Sequence, residues 1–353
     1  MAEYLDATRI RTLASELDLR PSKGRGQNFL FDANTIRRIV GLAKVGPGDH
    51  VLEVGPGLGS LTVGLLHSGA QVTAVEIEHA LAERLPVTMA ELAPDKVKNL
   101  HVVEGDALRM GVDDLLAALG CPESLVSSDS PITTEALGDH RPAMPVTPST
   151  ATSRSAGPLA QPTTLVANLP YNISVPVILH LLATFPSIQR GLVLVQLEVA
   201  DRLAAPPGSK VYGVPSAKLA WYADATRVGT VPATVFWPAP NVESGLVRFT
   251  RHDTPDVAGS CDFAQDDGAT EKDDTLMDQT SPSPDRTAVF TLIDVAFSQR
   301  RKMLRSVLAS RYPNAPEALA AANIDPQARG ETLSIADFTR LAHALATTAS
   351  CMT

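Results

Sequence analysis

The 353-residue chain is long enough for one large domain and a smaller one, and its 44% hydrophobic content allows a well-buried core. No stretch approaches the roughly 20 apolar residues of a membrane span, the acidic start from Met1 to Asp6 is unlike a secretory signal, and Cys121, Cys261 and Cys351 show neither paired nor metal-ligand spacing. A cytoplasmic protein with no membrane partner, no disulfide framework and no metal site is therefore expected; the net charge of −9 does not exclude nucleic acid, because residues 251–286 carry −7 and residues 111–163 carry −4, leaving +2 on the rest.

Along the chain, His50–Val54 reads as a buried strand running into a glycine-rich turn, with an amphipathic segment from Ser60 to His67 behind it. Val72–Val75 is the next strand, His79–Leu92 a helix and Leu100–Val103 a third strand. From about Gly120 to Pro162 the composition turns to Ser, Thr, Pro and Gly, which predicts a flexible insert within residues 111–163. Thr164–Ala167, a helix near Val175–Thr184 and Leu192–Val195 resume the alternation. Such alternation predicts an α/β fold, a Rossmann-like arrangement with a mainly parallel sheet and helices on both faces. Ala217–Val228 and Val242–Thr250, rich in β-branched and aromatic residues, predict late antiparallel strands. An acidic linker at residues 251–286 follows, and Ala288–Ser310, Ala315–Ala322 and Ser334–Thr347 predict helices. The expected organisation is a catalytic domain over residues 1–250, the linker, and a small C-terminal helical domain over residues 287–353.

Chemistry enters at the strand ends. In Glu53-Val54-Gly55-Pro56-Gly57-Leu58-Gly59 the glycines let backbone approach a ligand where a side chain would clash. Glu76 closes the second strand, where a carboxylate can accept ribose hydroxyls, and Asp106, after the third, can accept from an exocyclic adenine amine. A purely structural turn and a dinucleotide site remain alternatives, although Glu53, Pro56 and the glycine spacing suit a pyrophosphate poorly. S-adenosylmethionine has no phosphate and carries a sulfonium cation, which acids around the pocket accommodate.

Asn168-Leu169-Pro170-Tyr171 falls at the carboxyl end of the fourth strand, where open α/β sheets hold ligands. An adenine amine is a poor nucleophile because its lone pair is delocalised into the ring. The Asn168 oxygen and a main-chain carbonyl near Leu169 can bind its two hydrogens and aim the nitrogen. Pro170 stiffens the turn, Tyr171 offers a stacking face, and Phe236 is the candidate for the opposite face of the base. Arg300, Arg301, Lys302 and Arg305 form a basic cluster on a predicted helix, with Arg301 and Arg305 on one face at i, i+4; with Lys23 and Arg25 they are the candidate phosphate contacts.

With these motifs in place, the chain resembles the ribosomal RNA adenine dimethyltransferase family. The matching segments are Gly26–Leu30, Glu53–Gly59, Glu76, Gly105–Ala107 and Asn168–Ser174. The segments Lys210–Gly213, Asn241–Ser244 and Gln299–Lys302 resemble the small-subunit branch. The resemblance implies S-adenosylmethionine as cofactor, held by Asn28, Leu30, Gly55, Gly57, Glu76, Asp106 and Asn168. It implies N6,N6-dimethylation of two adjacent adenines in a loop near the 3′ end of 16S rRNA, by a monomer acting on the small ribosomal subunit. Leu197 departs from the family pattern, which has a lysine there. The rival readings are a noncatalytic assembly or transcription factor on the same fold, and an adenine methyltransferase acting on other RNA or on DNA.

Overall fold

A computed structural model of the protein describes residues 4–19, 27–119, 161–252 and 285–350. Most of the two expected inserts lies outside the described residues, as do Lys23 and Arg25. The chain divides into two compact units, Met1–Val193 with Pro232–Asn241, and Leu194–Val231 with Val242–Thr353.

In the first unit, α1 (Ala7–Glu16) precedes the short strand β1 (Phe29–Leu30) and α2 (Ala33–Ala43). Asp6 caps α1 by accepting the Arg9 amide at 2.7 Å. Then come β2 (His50–Val54), α3 (Ser60–His67), β3 (Gln71–Glu76), α4 (His79–Leu92) and β4 (Leu100–Glu104). They are followed by α5 (Val112–Ala118), β5 (Thr164–Asn168), α6 (Ser174–Thr184) and the start of β6 (Arg190–Gln196). The beginning of the expected insert is helical, with Leu115 and Leu116 of α5 buried. Every residue of β2 is buried, as an interior strand of a parallel sheet should be. The strand order is β4-β3-β2-β5, with each adjoining pair parallel.

That order positions the site. From β2 the chain steps outward through β3 to β4, then returns to lay β5 on the other side of β2, Val51 opposite Thr164 and Leu52 opposite Leu165. Loops leaving the carboxyl ends of β2 and β5 diverge, and the crevice between them is where such sheets bind ligands. One wall is tied in by β8 (Phe236–Trp237), which pairs with β1 so that Phe29 faces Trp237 and Leu30 faces Phe236. Phe29 also joins Leu5, Ile10, Leu13, Leu58 and Leu81 in one buried cluster, which anchors β1 beside the glycine loop.

The second unit contains α7 (Leu197–Leu203), α8 (Val214–Ala220), β7 (Ala223–Val231) and β9 (Ser244–Arg251), the two strands pairing antiparallel. It continues with α9 (Arg286–Ser298), α10 (Leu304–Leu308), α11 (Ala315–Ala321) and α12 (Ile335–Ser350). Three expectations are corrected here. Ala217–Ala220 is helical rather than the start of a strand: Pro215 suits the first turn, and the Ser216 hydroxyl accepts the Gly213 amide at 3.1 Å. The helix expected over Ala288–Ser310 is two helices, because the all-polar run Gln299–Lys302 has nothing to bury and turns instead. Arg301 and Arg305 therefore share no helical face. The compact body holding the C-terminal helices also starts well before residue 287. Tyr212 and Ala217 belong to one core with Val289, Ile293 and Phe338, and the Tyr212 hydroxyl donates to the Leu333 carbonyl at 2.9 Å. Leu197 begins α7 and packs toward β9, its Cδ1 3.5 Å from where a Cβ on Gly245 would lie.

Candidate active site

The loop between β2 and α3 keeps Gly55, Gly57 and Gly59 at φ of 67°, 57° and 95°, a region other residues adopt only under strain. Space is as restrictive as conformation. A Cβ on Gly57 would stand 2.9 Å from the Phe29 ring, and one on Gly59 would stand 2.6 Å from the Met89 methyl. The loop can thus lie flat against the cavity while α3 starts directly behind it.

Glu76 is 5% exposed at the end of β3. Its Oε2 accepts the Gly57 amide at 3.1 Å, and its Oε1 accepts those of Ile77 at 2.9 Å and Glu78 at 3.1 Å. Burial raises its pKa, and the three amides oppose that rise. The carboxylate is oriented in advance, with Oε2 carrying fewer donors. Glu53, one strand away, is 1% exposed, and its Oε2 has no hydrogen-bond partner among the described residues. Burial pushes its carboxyl up to about 8. Asp106 is half-buried; its Oδ1 accepts the Leu108 amide at 2.9 Å, and its Oδ2 lies 3.7 Å from the Arg109 guanidinium.

Asn168 ends β5, and its side-chain Nδ2 donates to the Asn28 carbonyl at 3.1 Å. That bond fixes which way the amide faces: the nitrogen points to β1's flank, and Oδ1 is left as the acceptor. After Asn168 the chain turns sharply, with the Ile173 amide donating to the Pro170 carbonyl at 3.2 Å before α6 begins. Leu169 is buried and Tyr171 half-buried.

A cavity of about 450 Å³, within the range of small-molecule sites, gathers these groups. Asn28, Leu30, Gly55, Gly57, Glu76, Asp106, Asn168, Leu169, Pro170 and Tyr171 all line it. A buried carboxyl with one unpartnered oxygen, a pre-oriented one and a flat glycine loop suit a nucleoside-bearing ligand. Phe236 is not in the lining. It is 2% exposed, its position in β8 having turned it into the packing beside Leu30, so it presents no open face to a base. Sequence reasoning missed Phe29, Leu58 and Ile77 of the surroundings. Ile77, 63% exposed at the cavity edge, had a signal: an apolar residue directly after an acid at a strand end.

Of the expected phosphate contacts, Arg300, Arg301, Lys302 and Arg305 lie in the second unit. Arg301, Lys302 and Arg305 are exposed and have no side-chain partner among the described residues. Arg300 differs: its Nε donates to Glu331 at 2.8 Å and its Nη2 to the Lys210 carbonyl at 2.6 Å. Among the described residues no group of three His, Cys, Asp or Glu is placed to hold a metal ion, and no helix is long and apolar enough to cross a membrane.

Comparison with known proteins adds to this geometry. The family model described as Ribosomal RNA adenine dimethylase matches residues 20–263. A Ribosomal RNA small subunit methyltransferase A of Cutibacterium acnes is 48% identical over 345 residues, covering 97% of this chain and 94% of that protein. Its namesake in Corynebacterium efficiens is 46% identical over 344 residues, with 97% and 96% covered. Among solved structures, a dimethyladenosine transferase from Plasmodium falciparum has a TM-score of 0.60 at 19% identity, covering 89% of this chain and 95% of that one. The 23S rRNA methyltransferase ErmE has a TM-score of 0.52 at 21% identity, with 90% and 100% covered. At these identities the two structures speak for the fold.

Proposed function

We propose, for a chain that belongs to the ribosomal RNA adenine dimethylase family, S-adenosylmethionine-dependent methylation of adenine N6 in small-subunit ribosomal RNA. The product is N6,N6-dimethyladenine at two adjacent adenines in a loop near the 3′ end of 16S rRNA. The observation that carries this reading is the convergence of Glu76, Asp106 and Asn168–Tyr171 on one cavity where the strand order reverses. When bound, the cofactor supplies an electrophilic methyl group on a sulfonium sulfur.

The chain's own residues do the rest. Glu76 Oε2 receives ribose hydroxyl hydrogen, and Asp106 Oδ2 receives the cofactor's adenine amine. Gly55 and Gly57 let backbone pass close to the ligand, and Asn28 and Leu30 close that side of the cavity. Asn168 Oδ1 and the main chain near Leu169 accept the hydrogens of the target amine and turn its nitrogen toward the methyl group, an entropic and orientational gain made before reaction. Tyr171 gives the splayed-out base a stacking face, and Pro170 holds the turn. Arg301, Lys302 and Arg305, with Lys23 and Arg25, bind phosphates, and the protein acts as a monomer in the cytoplasm.

The test is transfer of labelled methyl groups to small ribosomal subunits that lack the modification, with modified positions mapped by primer extension. Two adjacent dimethyladenines near the 3′ end of the RNA are expected. Incorporation into large-subunit RNA or DNA instead, or none into subunits by a protein that binds the cofactor, would sink the proposal.

A further inference from the structure

The basic cluster contains an acid that Coulomb's law alone would call a defect. Glu331 sits in the turn Gly330–Thr332 and is joined to two separate chain segments of the second unit, and its Oε1 also lies 4.0 Å from Nη1 of the nearby Arg329. Its Oε2 accepts the Arg300 Nε at 2.8 Å, while the Gly208 amide donates to its main-chain carbonyl at 2.7 Å. Arg300 in turn reaches the Lys210 carbonyl through Nη2 at 2.6 Å. The turn carrying Glu331 is itself seated: a Cβ on Gly330 would stand 3.1 Å from both the Cβ and the carbonyl oxygen of Ala296, near the end of α9.

Around this joint the cations divide into two kinds. Arg300 is held by Glu331 on one side and by a carbonyl on the other, so two faces of its guanidinium are occupied before any RNA arrives. Lys210, Arg301 and Lys302 are exposed and have no ion-pair partner among the described residues. Lys210 is on the segment that Arg300 holds, and Arg301 and Lys302 are on the turn that Arg300 begins. The run's own main chain is held locally, by the Lys302 amide to the Gln299 carbonyl at 2.8 Å and by the Ser306 and Val307 amides to the Met303 carbonyl at 3.0 and 3.2 Å where α10 begins; the tie from this run to residue 210 is the Arg300 side chain.

We infer that Glu331 is a positioning residue for RNA binding: by gripping Arg300 it locks the 299–303 turn to the 208–212 segment, so that Lys210, Arg301 and Lys302 meet a phosphate backbone as one preformed surface. Arg300 then belongs to the scaffold of that surface rather than to its phosphate contacts. The inference rests on the reading that the cluster binds ribosomal RNA. It differs from a plain charge argument in sign, since taking a negative charge out of a basic patch ordinarily tightens RNA binding.

The test is equilibrium binding of the full chain to unmodified small ribosomal subunits across a salt series, with thermal unfolding and cofactor affinity as controls on the fold. Glu331→Gln should weaken binding about two- to fivefold, the range of an exposed ion pair, with both controls unchanged. Arg300→Gln should weaken it at least as much, and the double substitution no further than Arg300→Gln alone, because both remove one joint. Arg301→Gln and Lys302→Gln should each lower the slope of log affinity against log salt by about 0.7 to 0.9. Unchanged or tighter binding by Glu331→Gln, or additive losses in the double variant, would overturn the positioning role alone. Slopes untouched by Arg301→Gln and Lys302→Gln would overturn both it and the RNA-binding reading.

Discussion

Asn168→Ala divides positioning of the target amine from assembly of the complex. The substitution removes two interactions of different weight. The first is the Nδ2 bond to the Asn28 carbonyl at 3.1 Å; a neutral hydrogen bond contributes about 0.5–1.5 kcal/mol, so cofactor affinity should fall by no more than about tenfold through a loosened β1 flank. The second is the Oδ1 acceptor, which by analogy with loss of one preorganised polar group should slow transfer about 10²- to 10³-fold, or roughly 2.7–4 kcal/mol on the barrier. The second effect exceeds the first, so the loss belongs to the rate and not to occupancy. Single-turnover transfer at saturating cofactor and RNA reads the rate alone. Asn168→Asp, which keeps an acceptor oxygen but cannot donate to Asn28, should show the cofactor defect and shift the balance between the two losses. If Asn168→Ala transfers at the parental rate under those conditions, the amine is not oriented by this side chain and the mechanism is wrong, whatever the family.

Glu76→Ala takes away the proposed ribose acceptor and leaves the Gly57, Ile77 and Glu78 amides without theirs; cofactor binding by calorimetry should weaken by roughly 1.5–3 kcal/mol with RNA affinity nearly unchanged, and an unaltered cofactor affinity would place the site elsewhere. Glu53 makes stability depend on pH: its folded pKa is raised from 4.5 to about 8, so the folded state keeps a proton that the unfolded chain has released, and stability falls as pH rises through that window. Glu53→Gln cannot ionise, so its melting temperature should gain on the parent's steadily from about pH 5 to pH 8; parallel curves would show that Glu53 is not a buried neutral acid. Tyr171→Phe keeps the stacking face and should retain most activity, whereas Tyr171→Ala should weaken base retention by about 1–3 kcal/mol. Equal defects in the two would assign the hydroxyl, not the ring, as the working group.

Much of the site was legible because its residues stand at strand ends, and strands buried on both faces leave a plain signature. His50–Val54 is buried along its whole length and Thr164–Asn168 along all but its last residue, Glu76 closes its strand, and Asp106 stands two residues beyond its own. What escaped depends on contacts between distant segments. Phe236 looks like any aromatic beside prolines; only its pairing opposite Leu30 buries it. The run Gln299–Lys302 fits a helical register on paper, and its turn is set by Glu331 and Lys210, 31 and 90 residues from Arg300. Ala217–Ala220 contains residues that serve a helix or a strand equally, and Gly213 with Pro215 and Ser216 decided for the helix. In α1 the signal was present in Asp6, Ile10, Leu13 and Ala14, but the interleaved Arg9, Arg11 and Glu16 hid the apolar stripe.

The β2–β5 pairing has a consequence for how the site is assembled. Glu76 and Asp106 are reached from β2 by short steps, but Asn168 is brought to them by main-chain pairing at Val51–Thr164 and Leu52–Leu165. The meeting of the two half-sites is therefore a matter of which rung aligns with which, not of the number of residues strung between them. The rungs Val51–Thr164 and Leu52–Leu165 alone fix where Asn168 emerges. A slip of a single rung, by contrast, would turn every side chain of β5 to the opposite face of the sheet and carry Asn168 away from its partner carbonyl.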